Sequence, residues 1–237
     1  MIQSIAIFGD SWSKVSKEKS DNTASVDVDR LEIIGNRTFE NLFKNIGIAV
    51  DNYSIPGGSN RKISDSMVVH QTTLQNSDLV IVFQTDPLRD VLNRGSKNFE
   101  LFPGLTLKSQ AKTLDQFSET LCKEFYLTLS RLDLPILLVG GLGKLCIDSI
   151  PSGLNFLEQS WSELVDPTFD DCYYEWVDPT LYVHNQLKFS AASFFEIEKK
   201  ILMKNNLWQQ SDKFGWCHPG DQAYDIMFEV LKNKIKE

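Results

Sequence analysis

Apolar positions along the chain fall into two kinds of block. Short runs rich in β-branched residues and bounded by Gly, Pro, Asp or Asn predict buried strands at 2–8, 50–54, 79–84 and 134–140. Segments with the apolar spacing of amphipathic helices occupy 38–45, 61–74, 109–131 and 219–235. Strands that alternate with helices predict right-handed βαβ units and a parallel sheet covered on both faces.

Two segments fit this alternation less well. Residues 87–108 lack clear periodicity, and residues 150–182 are rich in aromatic and acidic residues. Long excursions of this kind are typical of loops that select a substrate, so both are expected to form or cover the wall of a site. The sequence shows no repeat and no low-complexity linker, so we expect one domain over residues 1–237 with insertions near 87–108 and 150–182.

Charge and composition narrow the classes of partner. The 237 residues carry a formal net charge of -8, and Lys and Arg are scattered along the chain. A nucleic-acid partner is therefore not expected, because no basic patch could hold a phosphate backbone. No run approaches the length of a membrane span, and the four cysteines lack C-x-x-C spacing. With no cationic leader pattern at the start, a cytoplasmic location and no membrane partner are expected.

Polar residues end the predicted strands abruptly, beginning with Gly9-Asp10-Ser11. A serine at such a turn commonly satisfies a backbone N–H as a turn residue or helix N-cap. The carboxyl ends of parallel strands are also where open α/β sheets bind ligands, so Ser11 is equally a candidate site residue. The second strand is followed by Gly57 and Gly58 and then by Ser59 and Asn60, either of which could cap the next helix.

Two further blocks complete the pattern. Gln84-Thr85-Asp86 ends the third strand, and His218-Pro219 stands just before the last predicted helix. Alone, the first would be an ordinary loop and His218 a structural histidine. In the order Gly-Asp-Ser, Asn-x-x-x-x-Gly, polar block and His-Pro, however, the chain resembles the SGNH hydrolases, also called the GDSL esterase/lipase family. The resemblance spans nearly the whole chain.

The resemblance implies a flavodoxin-like three-layer α/β sandwich with a central, mostly parallel sheet, and ester hydrolysis without metal or cofactor. Ser11 would be the nucleophile and His218 the general base. The backbone N–H groups of Ser11 and Gly57, with a donor from the third block, would form the oxyanion hole. The residues expected to contact substrate are Asp10, Asn60, Gln84 and Trp216.

The third block departs from the family pattern, which carries Gly-x-Asn-Asp. Counting along the strand puts Asp86 in the Asn position and Gln84 in the Gly position. An ionised carboxylate would repel the oxyanion, so Thr85 is favoured as the side-chain donor. Gln84 through its amide, or Asp86 in its protonated form, remain the alternatives.

The family also places Asp three residues before the histidine, where this chain has Gly215. Asp212 is the favoured orienting carboxylate for His218, since the loop between them could fold back. Asp221 suits the N-terminus of the last helix instead. A backbone carbonyl or a bare Ser-His dyad is the remaining possibility.

The predicted function is therefore a serine esterase that removes a small acyl group, such as acetyl, from a carbohydrate or related alcohol. Its partner would be a small-molecule or glycan ester, and the sequence gives no oligomeric state. An acyltransferase would use the same two residues with a different acceptor. The rival class is a non-catalytic glycan- or protein-binding module on a degenerate SGNH fold. Contact between Ser11 and His218 beside open space would favour the enzyme.

Overall fold

The computed structural model describes residues 2–10, 13, 38–55, 58–85, 107–141, 144–165 and 221–236. Its strands are β1 (Ser4–Phe8), β2 (Ala49–Asn52), β3 (Leu79–Gln84), β4 (Ile136–Gly140) and β5 (Asn155–Phe156). Its helices are α1 (Phe39–Lys44), α2 (Asn60–Leu74), α3 (Leu107–Ser130), α4 (Trp161–Val165) and α5 (Asp221–Lys236), with a 3-10 turn at Ile147–Ser149. None of these helices is both long and apolar enough to cross a membrane.

The strands pair in the order β2-β1-β3-β4-β5, and every described pairing is parallel. This is the order of flavodoxin-like doubly wound sheets, in which the strand order reverses between β1 and β3. The predicted fold class is confirmed.

Helices cover both faces of the sheet. On one face Ala6, Phe8, Val80 and Val82 pack against Met67 of α2 and neighbouring apolar residues of α2 and α3. The opposite face is aromatic. Phe39 of α1 lies 5.2 Å from Phe83 of β3, 5.3 Å from Trp161 of α4 and 5.1 Å from Tyr224 of α5, measured between ring centroids. Side chains alternate between the two faces of each strand, so the sheet is apolar on both faces. The sheet and the helices on its two faces make three layers.

Sequence patterns located most elements within a few residues. β3 has the predicted bounds, and Ser59 is the N-cap of α2, where its hydroxyl accepts from the N–H of Lys62. β5 was not predicted and lies inside the range expected to be an insertion. A two-residue strand leaves no periodic signal, so the reason is its length. Trp161, which lies in the same aromatic-rich segment 150–182, is 1% exposed and packs in the core.

Candidate active site

Two hydrogen bonds join Ser13 to Asp10 just after the end of β1. The N–H of Ser13 donates to the carbonyl of Asp10 over 3.2 Å, and the Ser13 hydroxyl lies 3.0 Å from the same oxygen. In the sequence, Ser11 and Trp12 stand between Asp10 and Ser13. Those two residues lie outside the described ranges. The residues on either side of the predicted nucleophile are thus held together by two hydrogen bonds.

Residues at the end of β2 and just after it form hydrogen bonds with Ser13. Ser13 Oγ lies 2.8 Å from Ser54 Oγ, and the Asn52 amide donates to the Ser13 carbonyl over 2.7 Å. Beyond β2 the backbone continues to follow β1, since the N–H of Ile55 donates to the carbonyl of Gly9 over 2.9 Å. The chain after β2, as far as Ile55, is therefore hydrogen-bonded to the chain after β1.

Asn60 joins the start of α2 to the end of β3. Its amide nitrogen donates to the carbonyl of Thr85, and its amide oxygen accepts from the N–H of Thr85, each over 2.9 Å. This pair of bonds reproduces with a side chain the pairing that two strands make with their backbones. Asn60 is 1% exposed.

Thr85 in turn contacts the first block. Its hydroxyl donates to Oδ2 of Asp10 over 3.0 Å, and both residues are buried. The two donors of Thr85, its N–H and its hydroxyl, thus have partners in Asn60 and Asp10. The predicted role of Thr85 as an oxyanion donor stays a prediction, and it requires the hydroxyl to exchange Asp10 for the oxyanion.

Gln84 is separate from this group. Its amide oxygen accepts from the hydroxyl of Tyr126 over 2.5 Å, and its amide nitrogen lies 3.5 Å from the carbonyl of Lys144. Since side chains alternate along a strand, Gln84 shares the face of Val82, which packs against α2 and α3. Burial raises the pKa of Tyr126, so its hydroxyl stays protonated and donates to Gln84. The alternative in which Gln84 stabilises an oxyanion does not fit these bonds.

Of the predicted site residues, the structure brings together Asp10, Asn60 and Thr85. Gln84 is described and bonds to Tyr126 instead. The remaining predicted residues lie outside the described ranges: Ser11, Gly57, Asp86, Asp212, Trp216 and His218. Sequence reasoning missed Ser13 and Ser54, whose hydroxyls join the chain after β1 to the chain after β2. A signal existed for both, because each is a serine within two residues of an already selected strand end or block. Among the described residues, no three His, Cys, Asp or Glu side chains gather as a metal site would require.

Comparison with solved structures gives likenesses along nearly the whole chain. The acetylxylan esterase Axe2 from Geobacillus stearothermophilus is 15% identical, with 98% of this chain and 94% of that chain covered and a TM-score of 0.41. A lipase/acylhydrolase from Enterococcus faecalis is 12% identical, with 99% and 96% covered and a TM-score of 0.37. LAE5, an alpha/beta hydrolase enzyme from the metagenome of Lake Arreo, Spain, is 11% identical, with 98% and 94% covered and a TM-score of 0.41.

No family model and no curated protein matches the chain. The three solved structures named above are hydrolases. Their likeness to this chain lies in the path of the backbone. The roles of single residues rest on the contacts described above and on the sequence motifs.

Proposed function

We propose that the protein is a serine esterase that removes a small acyl group, of the acetyl type, from a carbohydrate or related alcohol. One observation supports this most directly. Asp10, the residue before Ser11, is hydrogen-bonded to Thr85 at the carboxyl ends of β1 and β3. In this strand order that point is where the topology switches and where open α/β sheets bind their ligands.

In the proposed reaction, Ser11 Oγ attacks the ester carbonyl carbon while His218 takes the hydroxyl proton. Collapse of the tetrahedral intermediate breaks the bond to the alcohol oxygen, and His218 returns the proton to the departing alcohol. Water then attacks the acyl-serine with His218 as base, which releases the carboxylic acid and restores Ser11. Asp212 is the proposed orienting group for the imidazole.

The oxyanion would accept from the backbone N–H groups of Ser11 and Gly57, with a third donor from Thr85 or Asp86. Bonds in the described residues support this grouping. Ile55 pairs with Gly9, and Asn60 holds Thr85, so the segments carrying these donors are tied together. Donors held in advance cost little reorganisation when charge develops on the substrate oxygen.

The proposed substrate class rests on the family resemblance. A small acyl group on a sugar hydroxyl is the proposed substrate, with Trp216 as a candidate contact for the ring face. The test of this substrate class is release of acetate from acetylated sugars, compared with release of longer acids from matched esters of the same alcohol.

The catalytic part of the proposal is tested with a fluorophosphonate probe, which forms a stable adduct with an activated serine. We expect a single adduct, located on Ser11 by mass spectrometry, and loss of both labelling and p-nitrophenyl acetate hydrolysis in Ser11→Ala. Ser130→Ala is the matched control, because Ser130 is exposed at the end of α3 and bonds to the Leu127 carbonyl. Parental turnover in Ser11→Ala would overturn the proposal, as would a folded parent that neither binds the probe nor hydrolyses the ester.

A further inference from the structure

We propose that Asn60 is a positioning residue that sets the distance between the oxyanion donors, and that it does not bind substrate. The inference rests on the proposed esterase function and changes the role that the sequence indicated for Asn60. It is carried by one juxtaposition, in which a buried asparagine at the first turn of α2 clamps both backbone groups of Thr85.

The bonds leave little of Asn60 for a ligand. Its oxygen and its nitrogen each contact Thr85 over 2.9 Å, and the residue is 1% exposed. A contact with substrate would require the amide to release a backbone carbonyl and a backbone N–H that are themselves buried. Leaving buried backbone groups unpaired is unfavourable, so the clamp is expected to persist while substrate binds.

The location of the clamp links the three blocks of the proposed site. Asn60 comes three residues after Gly57, and Thr85 comes immediately before Asp86. The Thr85 hydroxyl then reaches Asp10, which precedes Ser11. Asn60, Thr85 and Asp10 therefore form one continuous chain of hydrogen bonds, which we call the clamp chain, and each member is within three residues of a proposed oxyanion donor or the nucleophile.

Displacement of a catalytic group by about 1 Å costs on the order of 100-fold in rate when geometry is the main contribution to catalysis. Loss of the clamp should therefore lower kcat and the rate of fluorophosphonate labelling. It should leave KM nearly unchanged, because in this proposal Asn60 makes no contact with the substrate.

Two variants test the clamp. Asn60→Leu removes both bonds at similar side-chain size. Asn60→Asp keeps an acceptor for the Thr85 N–H but places a second carboxylate oxygen against the Thr85 carbonyl. Only a protonated aspartate restores the missing donor. The ratio of kcat in Asn60→Asp to kcat in the parent should therefore rise as the pH falls, which a simple loss of stability would not produce.

Gln71→Leu is the matched control on the same helix. The Gln71 amide donates to the carbonyl of Leu132 over 2.9 Å, far along α2 from Asn60, so the variant also loses a side-chain bond to a backbone carbonyl. We expect its kcat to equal that of the parent. For the Asn60 variants we expect kcat to fall about 10- to 100-fold with KM within about threefold.

Hydrogen exchange at the Thr85 amide provides a readout that is independent of turnover. Its protection should fall in folded Asn60→Leu and remain in Gln71→Leu. Unchanged kcat in both Asn60 variants, or a rise in KM alone, would overturn the positioning role. If the parent shows neither labelling nor hydrolysis, the esterase proposal fails, while the exchange measurement still reports whether the clamp exists. If Asn60→Leu does not fold, the kcat of Asn60→Asp relative to the parent, and its dependence on pH, test the positioning role.

Discussion

The hydroxyl of Thr85 donates to Oδ2 of Asp10 across 3.0 Å, so a single side-chain hydrogen bond joins the carboxyl ends of β1 and β3. The two residues are 75 positions apart in the sequence. Both are buried, and a hydrogen bond is stronger in the low-dielectric interior of a protein than in water. The residue before the proposed nucleophile and the residue before Asp86 are thereby fixed relative to each other.

Replacing Thr85 separates a structural role from a catalytic one. Thr85→Val keeps the shape and removes a donor to a buried carboxylate, which should cost about 1.5–3 kcal/mol in the free energy of unfolding. Thr85→Ser retains the hydroxyl and should recover most of this loss. Urea unfolding of both variants measures the difference. A fall of about two to three orders of magnitude in kcat at parental stability would instead identify the hydroxyl as an oxyanion donor.

The bond between Tyr126 and Gln84 predicts a stability effect on the other face of the sheet. Tyr126→Phe removes the donor to Gln84 and the acceptor of the Cys146 N–H, which lies 3.1 Å from the hydroxyl. Unfolding free energy should fall by about 1–3 kcal/mol, since buried polar groups lose their partner. The double variant with Gln84→Leu should lose less than the sum of the single variants. Additive losses in urea unfolding would show that the two side chains are not coupled.

The sequence predicts β1 and β3 because their apolar runs are continuous and end at polar or small residues. β1 and β3 are buried on both faces, so their patterns are strong and predict their carboxyl ends correctly, at Phe8 and Gln84. The two residues of β5, which pair with β4, are too few to give such a pattern.

The internal partners of the site residues could not be predicted. Gln84 and Thr85 are neighbours, yet alternation sends one to Tyr126 and the other to Asp10. Which face is inside depends on the helix that covers it, and Tyr126 is 42 residues away. The motif therefore indicated a block of the chain, while the partner of each of its members depends on the fold.

Asp78 provides a test of pH-dependent stability. Its carboxylate accepts from the N–H groups of Gln3 and Ser4, at 2.8 and 2.9 Å, and from the Ser4 hydroxyl. These bonds, the backbone ones first, lower the pKa of Asp78 below its usual value of 3.8. A depressed folded pKa stabilises the protein above the unfolded pKa, and this contribution is lost as the pH falls through the folded pKa.

The parent should therefore be more stable than Asp78→Asn at neutral pH, and the difference should narrow as the pH falls below the usual carboxyl pKa. Urea unfolding across an acidic pH series measures this difference in the free energy of unfolding. Asp65→Asn, at an exposed position on α2, is the control for removing a surface carboxylate. A difference between parent and Asp78→Asn that is constant with pH would contradict the assignment.

The orienting role of Asp212 is tested by the pH dependence of kcat/KM. A carboxylate beside His218 would stabilise the imidazolium, so Asp212→Asn should reduce turnover and shift the acidic limb of the profile to lower pH. Asp221→Asn should leave the profile unchanged if Asp221 serves the start of α5. A profile of parental height and midpoint in Asp212→Asn would favour a dyad or a backbone carbonyl as the partner of His218.

Gly9 is the position where the chain after β1 has no room for a side chain. A Cβ there would lie 2.1 Å from Ser13 Oγ and 3.1 Å from Phe83 Cβ. Gly9→Ala should therefore displace Ser13, loosen its bonds to Asp10 and Ser54, and lower the unfolding free energy by about 1–3 kcal/mol. Fluorophosphonate labelling of Ser11 should slow as well, because Ser11 lies between Gly9 and Ser13 in the sequence.

Removing the clashing oxygen should reverse part of this effect. In Gly9→Ala with Ser13→Ala the contact at 2.1 Å disappears, while the Cβ atoms of Phe83 and of residue 13 each remain 3.1 Å from the new methyl group. Partial recovery of stability and labelling, relative to Gly9→Ala alone, is expected. Gly47→Ala is the control for a glycine whose need is conformational, since its φ is +83° and a Cβ at that position would have no neighbouring atom within 4 Å. It should lose stability without slowing the labelling of Ser11, whereas equal slowing in both variants would show that the labelling responds to global stability and not to the Ser13 contact.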